Sequence, residues 1–377
     1  MSKQPHVVVI GAGAFGGWTA LHLLRRGLRV SLLDAWGPGN SRSSSGGETR
    51  IIRGTYGPDQ PYTQMTARAF QLWRENEAHW KKTLFYRSGV LWLVTGDGAF
   101  ETASLKLLTE AGIPFQELPQ AEIQRRWPQM TTNDVKWAIF ENESGFLFAR
   151  HACQAVAEAF VAEGGAFRIA AARTPEVLSG KLHSLTLADG TKLAADVFVF
   201  ACGPWLPQLF PDVIGTCILP TKQDVLFFGT PAGDQRFNED HFPVWIDYGK
   251  TFFYGIPGNQ WRGFKVANDA RELPFDPTNG ERLVAPETID QTRRYLAHRF
   301  PTLKDAPLVE TRVCQYENTT DRNLIIDRHP QAENCWIVGG GSGHGFKLGP
   351  AIGELVAGLV AENKTADPIF RISRFKP

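Results

Sequence analysis

Patterned cysteine is missing from this sequence. Five cysteines, at 153, 202, 217, 314 and 335, are scattered through 377 residues, odd in number and without a CxxC pair. A disulfide framework and a zinc site of the usual spacing are therefore not expected. Excess charge of either sign is missing too: 40 Lys and Arg nearly balance 39 Asp and Glu. Neither nucleic acid nor an anionic membrane surface is expected as a partner. No apolar run approaches the roughly 20 residues that cross a bilayer. The opening MSKQPHVVVIGAG shows no secretory pattern, and the closing RISRFKP matches no anchor or peroxisomal address. A reducing cytoplasm is the expected compartment, and no repeat or low-complexity tract interrupts the chain.

What is present is an ordinary globular composition, 43% hydrophobic and 21% charged, long enough for two or three cores. The segment HVVVIGAGAFGGWTALHLLRRGLRVSLLDAW predicts strand, glycine turn, helix and strand. Val7 to Ile10 form a continuous apolar run, as in a parallel strand covered on both faces. Phe15 to Arg26 predict a helix, and Val30 to Leu33 a second strand ending at Asp34. Helices are expected over 62–82, along AFETASLKLLTEAGI, in the alanine-rich stretch after ESGFLFARHA, and at PETIDQTRRYLAHRF and GPAIGELVAGLVAE. YRSGVLWLVTG predicts a strand, Asp189-Gly190 a hairpin turn, and 219–264 a series of antiparallel strands with a turn at Asp247-Tyr248-Gly249. The expected fold is α/β (α+β): a Rossmann-like domain assembled from separated segments, with an antiparallel-sheet domain inserted. The expected division gives 1–85, 145–217 and 315–377 to the first and 86–144 and 218–314 to the second.

Gly11, Gly13 and Gly16 form GxGxxG between strand and helix. The first permits the tight turn, the second lets a pyrophosphate approach the backbone, and the third allows close helix packing. The helix N-terminus offers unpaired N–H groups, and Asp34 is placed for ribose hydroxyls. The motif alone does not separate NAD from FAD. A second glycine cluster after the strand CWIVGG, running from Gly339 through Gly341, Gly343 and Gly345 into a helix, suits the distant contact that a long FAD needs. Cys314, in VETRVCQYENTTDRNLIIDRHP, has no second ligand at metal spacing and reads equally as a buried thiol.

These segments carry a resemblance. SGGETRIIRGTYG, IQRRWP, SGFLFARHA, ACGPW, FYGIP with GFK, CQYENTTDRNLIID and GSGHGFK keep the order and spacing of the monomeric sarcosine oxidase and N-methyltryptophan oxidase family, within the D-amino acid oxidase superfamily. The chain resembles that family from end to end. The resemblance implies a glutathione-reductase-type FAD domain and an 8α-S-cysteinyl link between FAD and Cys314. It implies Arg53 and Lys347 as carboxylate ligands, Arg50 beside the flavin, Lys265 as the group promoting reaction with O2, and Tyr254 and Tyr316 lining the substrate cavity. His344 is expected to organise the glycine loop rather than act as a base. The implied reaction is oxidation of a secondary or primary amino acid, with hydride passing to flavin N5 to give an imine and O2 giving hydrogen peroxide. No metal is expected, and a monomer is.

Two positions depart from the family pattern. Asp269 replaces a histidine four residues after Lys265, and Gly46 replaces a histidine before TRIIR. An aspartate in the cavity predicts a bulkier substrate than sarcosine, or one with a cationic or hydroxyl-bearing group. The competing expectations are a dehydrogenase of the same fold using another acceptor, an amadoriase-type oxidase of fructosyl amino acids, a nicotinamide-dependent enzyme, and a non-catalytic FAD-binding protein.

Overall fold

A computed structural model of the chain describes residues 4–249, 252–269, 271 and 273–375. The apolar run at the start becomes the middle of a six-stranded sheet. His6–Ile10 lies between Arg29–Asp34 and Val197–Phe200, parallel to both. Ala166–Ile169 extends the sheet on one side, and Ala332–Gly339 then Ile325–His329 extend it on the other. Only the outermost pair, Ile325–His329 with Ala332–Gly339, is antiparallel. Alternation explains the unbroken hydrophobicity. Val7 and Val9 pack with the helices Ala14–Arg25, Ala149–Ala162 and Gly349–Ala361. Val8 and Ile10 pack on the opposite side with Leu182, Leu185, Leu206 and Phe210. Both faces are dry, so neither tolerates polar residues. The first and last helices approach closely because Gly353 lies on the Trp18 backbone, where an added β-carbon would be 2.5 Å from a carbonyl carbon.

The second sheet has eight strands, in the order Leu308–Thr319, Ile218–Phe228, Phe264–Asn268, Phe253–Ile256, Val244–Asp247, Val90–Val94, Trp137–Glu141, Gln116–Pro119. All neighbours are antiparallel except Val244–Asp247 beside Val90–Val94. That pair joins two stretches of chain far apart in sequence. One face of this sheet packs in a core of its own, with Trp245, Phe264, Tyr295 and Phe300, while the other, with Val90, Trp92, Val244 and Ile246, joins the core that contains Val7 and Val9. A small three-stranded sheet, Thr49–Ile52, Gly145–Phe148 and Phe85–Tyr86, carries the TRII segment.

Three expectations need adjustment. The helix expected over 62–82 runs from Gln60 to Trp80, with Pro61 in its first turn and Lys81 left-handed at its end. YRSGVLWLVTG is two strands rather than one, because Gly89 turns at φ +78° and sends each half to a different sheet. Cys314 lies in mid-strand: the ladder from Leu308 continues through Thr319, past the expected junction at 314/315. The turn expected at Asp247-Tyr248-Gly249 falls between the paired strands Val244–Asp247 and Phe253–Ile256, and residues 250 and 251 lie outside the described residues.

Candidate active site between the two sheets

A cleft of about 400 Å³ runs from the first glycine turn to the strands of the second sheet, a size suited to a small molecule or cofactor. At one end Gly11 has φ +104°, and a β-carbon there would be 2.3 Å from the Ala201 carbonyl oxygen. At Gly16 the added atom would be 1.9 Å from the Gly11 carbonyl oxygen. The turn and helix therefore fit only without side chains. Gly13 caps the helix without a side chain, and Ser45 Oγ accepts from the Ala14 N–H at 3.1 Å. Asp34 lines the cleft but is heavily engaged. One carboxylate oxygen accepts from the Ala12 N–H at 2.8 Å, and the other from Trp36 and Gly37 at 2.9 and 2.8 Å. Of its roughly four lone pairs, about one is left for a ribose hydroxyl.

Further along, Cys314 Sγ is 3.2 Å from Arg50 Nη2, which also donates to the Ser44 carbonyl at 2.7 Å. Lys265 is 3% exposed and donates to the Thr49 carbonyl at 2.9 Å. Burial, with the Arg50 charge adding to it, lowers its pKa to about 7. The antiparallel strand Thr49–Ile52 thus brings Arg50, Lys265 and Cys314 to one place.

Arg53 follows that strand. Its guanidinium lies 4.4 Å from the Tyr56 ring centroid and 4.9 Å from that of Trp92, and it donates to the Thr55 carbonyl. Lys347 lies 4.9 Å from the same Tyr56 ring, so one aromatic side chain holds both cations. Lys347 is 4% exposed and donates to the His344 carbonyl at 2.8 Å. Burial and then the Arg53 charge hold its pKa well below the ordinary lysine range. His344 Nε2 faces the Arg322 carbonyl at 3.0 Å and must donate there, so Nδ1 accepts from the Tyr56 hydroxyl at 3.2 Å. Burial lowers the His344 pKa to about 3, which keeps the ring neutral. Its ring links the glycine loop to Arg322 and Tyr56.

Asp269 lines the cleft with both carboxylate oxygens already engaged. It pairs with Arg271 at 2.8 Å through one oxygen and accepts from the Tyr316 hydroxyl at 3.0 Å through the other. Arg271 also donates to the Ser342 carbonyl at 2.8 Å. The cationic group expected to meet Asp269 is supplied by the chain itself. Tyr254 hydrogen-bonds Tyr316 in turn. Burial, then the Asp269 charge, pushes the Tyr316 and Tyr248 hydroxyls well above the usual phenol range. Gly343 packs on the Tyr316 ring, where a β-carbon would be 2.6 Å away, and Gly341 and Gly345 pack on Phe15. Gly46 does not line the cleft. Its neighbour is the Asn40 carbonyl oxygen, 1.7 Å from any added β-carbon, which excludes a side chain.

Sequence reading missed Tyr56, Trp92, Arg271 and Glu141. Glu141 is 1% exposed and accepts from the Gly54 and Thr55 N–H groups and the Thr55 and Ser144 hydroxyls, at 2.6 to 3.0 Å. It fixes the backbone immediately after Arg53. Tyr56 stands inside TRIIRGTYG and could have been singled out as an aromatic three residues from an arginine. Arg271, two residues after Asp269, was equally legible as its partner. Nothing local marks Glu141.

A glycine turn that admits no β-carbon, an acidic residue ending the next strand, and a second glycine cluster across the cleft define a dinucleotide-binding enzyme of the FAD type. The family model for FAD dependent oxidoreductases (DAO) matches residues 6–359, and the chain belongs to this family. It is 30% identical to monomeric sarcosine oxidase of Bacillus sp. (strain B-0618), over 99% of this chain and 97% of that one. It is 29% identical to N-methyl-L-tryptophan oxidase of Salmonella dublin, over 98% of each. Among solved structures, L-proline dehydrogenase from P. horikoshii superposes with a TM-score of 0.85 at 21% identity, covering 100% of this chain and 98% of that one. Among the described residues no group of three or more His, Cys, Asp or Glu could hold a metal ion, and no helix is long and apolar enough to cross a membrane.

Proposed function

We propose that this flavoenzyme oxidises a carboxylate-bearing secondary or primary amine, with FAD tethered to Cys314 and O2 as acceptor. The observation carrying the reading is the convergence of Arg53 and Lys347 on the Tyr56 ring, both lining the cleft that also holds Cys314 and Lys265. Bound FAD supplies the redox chemistry, taking a hydride from the carbon beside nitrogen and passing electrons to O2.

The chain supplies position and charge. Arg53 and Lys347 grip the substrate carboxylate, with Arg53 offering the planar fork. Because the Tyr316 hydroxyl donates to Asp269, its oxygen is left as an acceptor for the substrate N–H, which orients the amine. Asp269, neutralised by Arg271, shapes the pocket and does not ion-pair with the substrate. Lys265 places a cation where negative charge develops on oxygen. Cys314 is the sulfur of the tether, and Arg50 supplies the neighbouring cation that a nucleophilic cysteine needs. The segments 1–85, 145–217 and 315–377 form the cofactor body and 86–144 with 218–314 the substrate body, except that 315–319 complete the strand of the second sheet. The enzyme works as a soluble cytoplasmic monomer.

Two measurements test this. Anaerobic bleaching of the flavin across N-methyl, cyclic and primary amino acids identifies the substrate; an enzyme that bleaches with none of them, or yields no peroxide in air, is not this oxidase. After acid denaturation the yellow colour stays with the wild-type polypeptide and leaves the Cys314→Ser protein; release from both refutes the tether.

A further inference from the structure

The strand that carries Cys314 and Tyr316 presents Glu317 on its other face. There the carboxyl lies against three glycines. A β-carbon built on Gly341 would be 3.0 Å from Oε1, and one on Gly339 would be 3.2 Å from Oε2, with Gly203 3.9 Å from the same oxygen. Glu317 lines the cleft together with Gly11, Phe15 and Gly341. It is 7% exposed, and Oε2 has no hydrogen-bond partner. Only the Gly341 and Gly340 N–H groups are turned toward the carboxyl. A buried carboxylate with one unsatisfied oxygen is costly, and the usual remedies are a cation or a proton.

Among the described residues no cation acts on it. Phe15 comes from the first helix, Pro220 faces it from the adjoining strand, and Leu206 covers Gly339. The titratable neighbours are acids: Cys202, on which the Glu317 charge acts, and beyond it Asp34, which acts on the same thiol. Burial accordingly raises the Glu317 pKa to about 7, with the two glycine N–H groups pulling it back.

We infer that Glu317 contacts the bound flavin cofactor, hydrogen-bonding to it and taking up a solvent proton as the flavin gains its electron pair. The inference rests on FAD binding and not on the substrate reading. Reduction adds negative charge to a cleft wall that already holds an uncompensated acid, so Glu317 is held more firmly in its protonated form. With dithionite as reductant, two electrons go to the flavin, and solvent provides one proton for the flavin and one for Glu317.

The flavin midpoint potential, measured against pH from about 5 to 9 on the dithionite-reduced holoenzyme, reads this directly. Glu317→Gln keeps the shape and removes the titration. Near neutrality the wild-type slope is expected to be steeper than that of E317Q, in which Lys265 still titrates, since up to one more proton accompanies the same electron pair. Equal slopes overturn the inference. Where E317Q does not load flavin, the reduced-minus-oxidised infrared difference spectrum of wild type labelled with ¹³C-glutamate decides. A protonated-carboxyl band that gains intensity on reduction and shifts with the label is expected, and its absence across the same pH range overturns the inference. A wild-type protein that binds no flavin would contradict the FAD assignment itself, a separate result.

Discussion

Arg53 and Lys265 differ in what they bring to the cleft, and the difference is measurable. Arg53 acts through geometry. Arg53→Gln removes a charge-assisted hydrogen bond worth about 1.5–3 kcal/mol, so kcat/KM for a carboxylate substrate should fall about 10- to 100-fold. The loss should be far smaller for an amine lacking the carboxylate, which a matched substrate pair will show. Lys265 has a pKa lowered to about 7, so it is a cation below that pH and neutral above it. Reoxidation of the reduced enzyme by O2 should therefore slow as pH rises through about 7. In Lys265→Met it should be about 10²- to 10³-fold slower and flat with pH; stopped-flow mixing with oxygenated buffer measures both. These residues were legible because the motifs TRIIR, GFK and GSGHGFK carry them. Tyr56 stood in the same motif, but that its one ring serves two cations, from residues 53 and 347, is a fact of three dimensions. The Asp269–Arg271 pair shows the opposite error, in which a single residue was read without its neighbour.

At the level of elements, Glu141 on the strand Trp137–Glu141 holds Gly54 and Thr55, just after Arg53, through three hydrogen bonds and Ser144 through a fourth. Glu141→Ala strands buried N–H and hydroxyl groups, each at about 1–3 kcal/mol. A marked fall in melting temperature is expected, together with a larger rise in KM than loss of flavin, read by differential scanning and absorbance on the same sample. Gly16→Ala forces an atom to 1.9 Å from the Gly11 carbonyl, so the helix must shift off the turn. That protein should purify colourless or not fold at all. The strand–helix–strand unit was readable from its alternating burial. The strand Leu308–Thr319 was not, because polar residues at 311, 315, 317 and 318 hide any apolar period. Only its ladder with Ile218–Phe228 makes it a strand.

For the whole molecule, the cleft lies between two sheets that share one hydrophobic core, and a ligand touching both would tie them further together. Without the tether, FAD at about 1,000 times its Kd should stabilise Cys314→Ser by about 4 kcal/mol, seen as a melting temperature that climbs with added FAD. Wild type should be indifferent to added FAD. That two sheets exist was legible from the change in pattern near residue 219; which segments pair was not, since Val90–Val94 meets Val244–Asp247 across a long gap in sequence. The same pairing governs how the chain comes off the ribosome. The dinucleotide turn emerges first, yet its strand waits for Val197–Phe200, and that strand waits for Ala332–Gly339 near the end. Neither sheet can be completed before residues 308–339 have been made, and such long-range closure is slow. Until then the nascent chain carries exposed strand edges, and the cleft, lined by residues from Ile10 to Lys347, is incomplete.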